Sequence, residues 1–287
     1  MGLTLYEDIF SLTVTGTLTI HDSTNLTSLG PIIGQEYLHI KIRTPFDNDD
    51  GSTTIDFSEN AFIVHSVVKR EAVGDNIQML ALSFVSQELI KNQRLKVTQS
   101  FTGTWSDIVE KVMTDPNIIN SKKDITIEPS SGIKKYVSPN IRPLDIITHA
   151  KKQAVAAFKG EPTYLFYETL KGFNFRTLAS LYNDPVQLTY SSMTPGASYK
   201  DGVLDIMKEI SNIISFNIVA NNDNIANYRT GVYGSKLITH DIISKSYTTK
   251  TYNYHDNFEN EHHIVGGVNQ GNKEFPLASK ILVDEKG

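Results

Sequence analysis

The sequence contains no cysteine among its 287 residues. This absence excludes a disulfide framework, a zinc site built from thiolates and a cysteine nucleophile. Runs of basic residues are also missing, and the net charge of -5 is spread among side chains of both signs. Because such a chain offers no cationic surface that grips a phosphate backbone, we do not expect specific nucleic-acid binding.

Long apolar runs are absent as well. No stretch approaches the roughly 18 apolar residues that a membrane helix needs. Acidic Glu7 and Asp8 stand where a signal peptide would carry basic residues. We therefore predict no membrane insertion by this chain and no export signal. The length allows two or three domains, since a domain takes roughly 100 to 200 residues.

Two alternating segments near the N-terminus give the most regular pattern. Residues 12–20 alternate apolar side chains with threonines, and residues 37–43 alternate apolar with polar side chains. This period of two predicts strands with one buried face, in an antiparallel sheet or barrel. Turn-forming residues around Asp22 and Gly30 lie between the segments and predict that they form a hairpin. Further strands are predicted over residues 58–69 and 77–85.

Helical periodicity begins in the middle of the chain. Thr104 and Asp107 resemble a capping box before a short helix that ends near residue 115. A second helix is predicted over residues 140–160, with Pro143 in its first turn. Aromatic residues on both sides of Gly172 then predict a hairpin over residues 164–176.

From about residue 183 the chain returns to β character. Strands are predicted over residues 214–220, 228–238 and 245–254, after a short helix over residues 203–210. The last of these strands has almost no aliphatic side chains, as expected of an edge strand or of a strand that faces a partner. The polar segment after Phe258 is interpreted as a tail that needs another surface to pack on.

Several residue groups have the composition of catalytic or metal sites. His-Asp pairs occur at residues 21–22, 240–241 and 255–256, and the first two pairs end apolar strands, where the aspartate is expected to cap the following turn. Residues 231–235 lack the spacing of a serine-hydrolase elbow. One cluster has metal-ligand composition, but adjacent side chains of an extended segment point to opposite sides. Its members are Glu259, Glu261, His262 and His263.

Paired carboxylates of a glycosidase are set by the fold and not by sequence spacing. Glu128, Glu161 and Glu168 are the candidates for such a pair. The aromatic residues of the 164–176 hairpin are either a sugar-stacking platform or, more commonly, a buried face. We predict no catalytic, cofactor-binding or metal-binding residue and no enzymatic activity. The alternative is a cell-wall-degrading or carbohydrate-binding module associated with a tail.

The order of these pieces resembles the baseplate central hub proteins of contractile-tailed bacteriophages. The resemblance lies in LYEDIF at residues 5–10, TGTLTIHDSTNL at 15–26 and GPIIGQEYLHIKIRTP at 30–45. Three later segments also match, at residues 137–154, 163–182 and 228–247. Together the segments span most of the chain.

The resemblance implies a fold and a role. It implies a mainly β protein with two tail-tube-like antiparallel β-barrels and an α+β middle domain, similar to the spike hub of type VI secretion. The implied domains are a first barrel at 1–98, the middle domain at 99–182, a partial second barrel at 183–258 and a polar extension at 259–287.

The implied role is structural and requires no cofactor. A homotrimer would form a pseudo-sixfold ring that joins the tail tube to the central spike and neighbouring baseplate proteins. DNA would pass through the ring without specific binding, and the protein would assemble in the host cytoplasm and reside in the virion tail. Because the chain begins at the Tyr6-Glu7-Asp8 strand and ends soon after residue 254, we expect an incomplete second barrel and a fragment of a longer hub protein.

Overall fold

The structure is a computed structural model. It describes residues 2–23, 30, 32–43, 55–74, 77–158, 160–187, 189–192, 196, 199–200, 203–204, 211–213, 215–217, 223–242, 244–260 and 278–283. The chain forms two compact units, Met1–Pro185 and Val186–Gly287. Strands predominate over helices, which confirms the prediction of a mainly β fold.

The first unit begins with seven strands. They are β1 (Gly2–Tyr6), β2 (Thr15–Asp22), β3 (Tyr37–Leu38), β4 (Lys41–Ile42), β5 (Ile55–Asp56), β6 (Phe62–Gly74) and β7 (Ile77–Ser86). Five of them form one antiparallel sheet in the order β1-β2-β7-β6-β3, and β4 pairs with β5. The sheet curls into a half-barrel around buried side chains that include Val14, Leu18, Phe62 and Phe84.

The predicted hairpin between β2 and the strand near residue 37 is wrong. β2 pairs with β1 and β7, whereas β3 pairs with β6 at the opposite edge of the sheet. Alternation of apolar and polar residues determines which face of a strand is buried, but it does not identify the neighbouring strand. The pairing is set by the long β6–β7 hairpin, which lies between the two.

The rest of the first unit is an α+β part. Its elements are α1 (Gln87–Arg94), β8 (Ser100–Gly103), α2 (Trp105–Thr114), β9 (Ile125–Ile127), β10 (Lys134–Val137), α3 (Pro143–Gln153), β11 (Tyr164–Thr169), β12 (Gly172–Thr177) and α4 (Leu178–Tyr182). β12 pairs with β11 antiparallel and with β9 parallel, and β10 pairs with β8. A second apolar core, distinct from that of the half-barrel, lies among α2, α3 and these strands.

Both predicted helices of this part are present, and one is shorter than expected. The capping box is confirmed, because Thr104 Oγ1 accepts from Asp107 N at 3.2 Å and Asp107 Oδ2 accepts from Thr104 N at 2.9 Å. α3 ends at Gln153 and does not continue to residue 160. The backbone becomes extended at Ala154, and Ala156 then forms an antiparallel bridge with Ser130.

The second unit contains β13 (Tyr199–Lys200), β14 (Val203–Leu204), α5 (Asn224–Thr230), β15 (Gly234–Asp241), β16 (Ser246–Asn253), α6 (Tyr254–Asn257), a 3-10 turn (Phe258–Asn260) and β17 (Ala278–Val283). The strand order β16-β15-β17 confirms that β16 is an edge strand. β17 runs parallel to β15, which departs from a wholly antiparallel barrel and places a strand in the segment interpreted as a polar extension.

Two further predictions in this unit are wrong where the structure describes them. Residues 203–204 form a strand at the start of the predicted short helix, and residues 205–210 lie outside the described residues. Residues 228–230 are the last turn of α5 and not the start of a strand. Asp223 caps this helix by accepting from Ile225 N and Ala226 N, an effect that strand periodicity does not reveal.

Candidate functional site: a buried charge cluster and open sheet edges

Three charged side chains lie buried where the half-barrel sheet meets the α+β part. Glu88 extends from α1, Lys123 precedes β9 and Glu168 lies on β11; we call them the charge cluster. Lys123 Nζ lies 2.9 Å from Glu88 Oε2 and 2.5 Å from Glu168 Oε1. The exposed fraction of the side chain is 9% for Lys123, 5% for Glu88 and 3% for Glu168. Pairing at this depth is needed, because an unpaired buried charge is strongly destabilising.

Hydrogen bonds satisfy the remaining carboxylate oxygens of the cluster. Glu168 Oε2 accepts from Val14 N at 2.8 Å and from Ser86 Oγ at 2.6 Å. Glu88 Oε1 accepts from Ser121 Oγ at 2.8 Å. Since Val14 and Ser86 border strands of the half-barrel, the bonds of Glu168 tie the sheet to the α+β part.

A second carboxylate also ties the sheet to the α+β part, and here the carboxylate lies beside the sheet while the N–H donor lies in the α+β part. Glu7, which follows β1, accepts from the backbone N–H of Leu170 in the β11–β12 turn. The turn itself requires glycine at Gly172, because φ is +137° and a Cβ would lie 2.3 Å from Asp124 O. The acidic residue of the YED motif therefore has a structural partner in the α+β part.

Burial and pairing act on the pKa values of the cluster in opposite directions. Burial raises the pKa of Glu168, against the effects of Lys123, Ser86 and the Val14 N–H. Burial acts to lower the pKa of Lys123, but Glu168 and Glu88 together outweigh it, so this pKa lies above its usual 10.5. The lysine therefore remains protonated near neutral pH.

The cluster is built for cohesion and not for proton transfer. A small cavity beside it is lined by Lys123 and Glu168 together with apolar side chains such as Val14 and Phe62. All four carboxylate oxygens of Glu88 and Glu168 already accept hydrogen bonds within the unit. A group engaged in this way is poorly placed to exchange a proton with a substrate.

The three glutamates considered for a glycosidase do not come together. Glu128 accepts from Thr177 N at 2.7 Å and from its hydroxyl, whereas Glu168 pairs across the hairpin with Phe173. These positions are four residues apart along β12, about 13 Å of strand, and the two carboxylates bind different partners. Glu161 takes part in a loop through its backbone carbonyl, which accepts from Ala156 N.

The aromatic residues of the β11–β12 hairpin form a buried face. Tyr164, Tyr167, Phe173 and Phe175 are all at most 6% exposed. Tyr164 stacks on Phe175 with ring centroids 4.5 Å apart, and the neighbouring Phe166 stacks on Phe173 at 5.5 Å. These residues belong to the core and present no open platform for a sugar.

The His-Asp pairs behave as turn caps where their bonds are described. His21 and His240 are exposed, while Asp22 and Asp241 are buried at the ends of β2 and β15. Asp241 accepts from Ser244 N at 3.1 Å and from Ser244 Oγ at 2.5 Å, which confirms the predicted cap. His255 and Asp256 lie in α6 at a nitrogen-to-oxygen distance of 3.6 Å.

The remaining candidate motifs either have structural roles or lie outside the described residues. Gly231 ends α5 with φ +80° before β15, a helix-to-strand order opposite to that of a nucleophile elbow. Of the acidic and histidine cluster only Glu259 is described, and residues 261–263 lie outside the described residues. Within the described ranges, no group of three ligand-type side chains could hold a metal ion. None of the helices in those ranges combines the length and apolar character needed to cross a bilayer.

The GPIIGQE motif has a clear physical basis. The Glu36 carboxylate accepts from the backbone N–H groups of Ile33, Gly34 and Gln35 at 2.8 to 3.0 Å. Gly34 has φ +88°, and a Cβ there would lie 3.1 Å from His65 O of β6. The N–H of Ile33, followed by those of its neighbours, holds the pKa of Glu36 below its usual value. The motif is thus a carboxylate-closed turn that packs on β6.

Within the described residues, two long strands have an open edge, and they differ in character. β6 pairs with β3 only at Phe62 and Ile63, and three register breaks against β7 interrupt it. β16 pairs with β15 in an unbroken register of eight residues, and side chains on both of its faces are exposed from Ser246 to Thr251. Bulges protect an edge against pairing with other chains, so β6 is protected and β16 is not.

The fold of this mainly β chain with its half-barrel is similar to that of a tail protein from Neisseria meningitidis MC58, with a TM-score of 0.52 and 10% sequence identity. That match covers 99% of this chain and 67% of the tail protein. A 43 kDa tail protein of prophage MuSo2 from Shewanella oneidensis matches 99% of the chain and is itself covered to 68%, with a TM-score of 0.42 and 11% identity.

One curated relative is more specific. The probable baseplate hub protein gp334 of Vibrio phage KVP40 is 21% identical over 282 residues, which is 98% of this chain and 64% of gp334. The chain thus spans less than two thirds of the length of this relative. No protein-family model matches the chain. The comparisons confirm the resemblance to baseplate hub proteins that the sequence motifs predicted.

Sequence reasoning missed two members of the charge cluster. Glu168 was considered only as a catalytic acid, and Glu88 and Lys123 were not singled out. Glu88 lies in the first turn of α1 directly after β7, but its burial, which calls for a charged partner, is visible only in the structure. The identity of that partner depends on tertiary contacts that local pattern does not carry.

Proposed function

We propose that this chain is a structural hub of a phage tail baseplate, residing in the virion tail. The observation that carries the proposal is the similarity to a baseplate hub protein along 98% of the chain. The fold likeness to a tail protein and the unprotected edge of β16 support it.

The finer proposal concerns assembly. Three copies form a ring in which each copy contributes two sheets of the tail-tube type, and the ring joins the tail tube to the spike. A strand such as β16, regular and exposed on both faces, gains hydrogen bonds and buried area when another chain covers it. The charge cluster holds the half-barrel sheet and the α+β part together, so that the first unit can act as one rigid subunit of the ring.

Passage of DNA is the last part of the proposal. A ring lumen without a basic surface allows a polyanion to slide, since bound cationic side chains would retard it. The net charge of -5 is in keeping with such a lumen. Neither a cofactor nor an enzymatic step is required for this role.

The experiment is a mass measurement of the purified protein over a range of concentrations, by analytical ultracentrifugation and native mass spectrometry. We expect a trimer, and particle images with a threefold axis. A strict monomer at the highest concentration, in a version of the protein as long as gp334, would contradict ring formation. Clearing of a peptidoglycan suspension by the same sample would instead favour the cell-wall-degrading alternative.

A further inference from the structure

The strand β10 has an edge that no other described strand covers. β10 pairs with β8 on one side through four residues in regular register. The structure describes all of residues 77–158, and within the described chain no hydrogen bond reaches the other side of residues 133–137. The N–H and C=O groups on that side, which we call the β10 edge, are therefore available to another strand.

The side chains at the β10 edge combine apolar and basic character. Ile133 and Val137 are 78% and 68% exposed, and Lys135 lies between them on the same face because side chains alternate along a strand. Lys134 is exposed on the other face. Neither lysine has a carboxylate within ion-pair distance among the described residues.

The strand behind this edge is held firmly. Tyr136 is stacked with His149 of α3 at a centroid distance of 5.2 Å and lies 5.4 Å from the Trp105 ring of α2. A fixed strand loses little conformational freedom when a partner adds to it, which favours binding.

The two lysines select the partner by charge. A second copy of this edge would bring lysines close to lysines, which is unfavourable, whereas an acidic strand would be attracted. Protection alone does not account for two large apolar side chains on the same face. The basic pair of β6 differs, since Lys69 contacts Glu71 and Arg70 donates to Gln78 within the strand pair itself.

We propose that the β10 edge binds an extended acidic segment of another protein as an added β-strand. Aspartate or glutamate side chains of that segment lie opposite Lys134 and Lys135, and its apolar side chains contact Ile133 and Val137. The backbone hydrogen bonds supply affinity, and the order of apolar and basic side chains along residues 133–137 supplies selectivity. This inference goes beyond the proposed hub role and does not depend on it.

The test uses the full chain and a short fluorescent peptide whose strand is Val-Thr-Glu-Glu-Val, so that on antiparallel addition its valines lie opposite Val137 and Ile133 and its glutamates opposite Lys135 and Lys134. We expect saturable binding that weakens about tenfold or more in the variant K134E/K135E, because two favourable cross-strand charge pairs become repulsive. The matched control K69E/R70E makes the same charge change on β6 and should leave the affinity within about twofold. Amide hydrogen exchange should slow at residues 133–137 when the peptide binds.

Two further peptides decide the mode of binding. The peptide Val-Thr-Lys-Lys-Val should not bind, and equal binding of the glutamate and lysine peptides would overturn the role of charge. A glutamate peptide with N-methylated amides on its pairing edge keeps its charge but cannot donate hydrogen bonds. Undiminished binding of that peptide, or equal losses in K134E/K135E and K69E/R70E, would overturn strand addition at β10. A circular dichroism spectrum unchanged from wild type shows that K134E/K135E is folded.

Discussion

The strands β2 and β15 end alike but lie in different surroundings. Both have eight residues and finish with an exposed histidine and a buried aspartate. β2 lies between β1 and β7, and its Leu18 is buried in the core of the half-barrel. β15 lies between β16 and β17, and its Leu237 is only half-buried. Within the described residues, the buried face of this type of strand thus joins an apolar core in the first unit, whereas in the second its central leucine stays partly exposed.

The two units obtain their stability from different sources. The first unit encloses two apolar cores and the charge cluster. In the second, the edge strand β16 exposes side chains on both faces, so burial within the described residues contributes little to the stability of this strand. If the hub proposal holds, β15 and β16 gain in the assembly the cover that β2 already has.

The largest expected effect comes from removing the cation of the charge cluster. K123M leaves the charges of Glu88 and Glu168 buried without a cation, and we expect a loss of about 3 to 5 kcal/mol in the free energy of unfolding of the first unit. Urea denaturation followed by tryptophan fluorescence measures this, because Trp105 lies in that unit. The triple variant E88Q/K123M/E168Q should recover most of the loss, since no charge then remains buried.

A pair of matched core truncations tests the comparison directly. Leu18→Ala should cost about 2 to 5 kcal/mol, as for other buried leucines, while Leu237→Ala should cost about 1 kcal/mol in the dissociated chain. Differential scanning calorimetry of both variants measures these losses. Equal costs at the two positions would mean that the second sheet is as well enclosed as the first.

The cap at the end of β15 gives a smaller effect. Asp241→Ala removes the acceptors for the N–H and hydroxyl of Ser244, and we expect a loss of about 1 to 2 kcal/mol. Asp241→Asn keeps one acceptor and should lose less. The difference in urea midpoint between Asp241→Ala and Asp241→Asn measures the contribution of the retained acceptor. Equal midpoints for the two variants would contradict the capping role.

The smallest effect concerns the turn closed by Glu36. Its pKa is lowered in the folded state, so its contribution to stability is present above its ordinary pKa of 4.5 and is lost as pH falls through the lower folded value. Carbon-13 NMR titration of the Glu36 carboxyl should give a midpoint below 4.5. In E36Q the acid limb of the stability curve should shift slightly, and a normal midpoint in the wild-type protein would contradict the turn bonds.

Sequence pattern predicted features that local chemistry determines. The capping box at Thr104, the edge position of β16 and the cap formed by Asp241 all follow from residues within a few positions of one another. The prediction of a hairpin between β2 and β3 failed because β2 pairs with β7, about sixty residues further along the chain, and β3 pairs with β6. The charge cluster was missed for the same reason, since Glu88, Lys123 and Glu168 lie far apart in sequence and meet only through packing.

The bond between Glu168 and Val14 N has a consequence for the order of events during synthesis. The two residues are 154 positions apart, so the ribosome must produce nearly the whole first unit before the start of β2 can be secured. Until then the emerging N-terminal strands carry unpaired edges, a state prone to misassembly. Slow translation between residues 90 and 170 would therefore prolong exposure of these strands to chaperones and to neighbouring nascent chains.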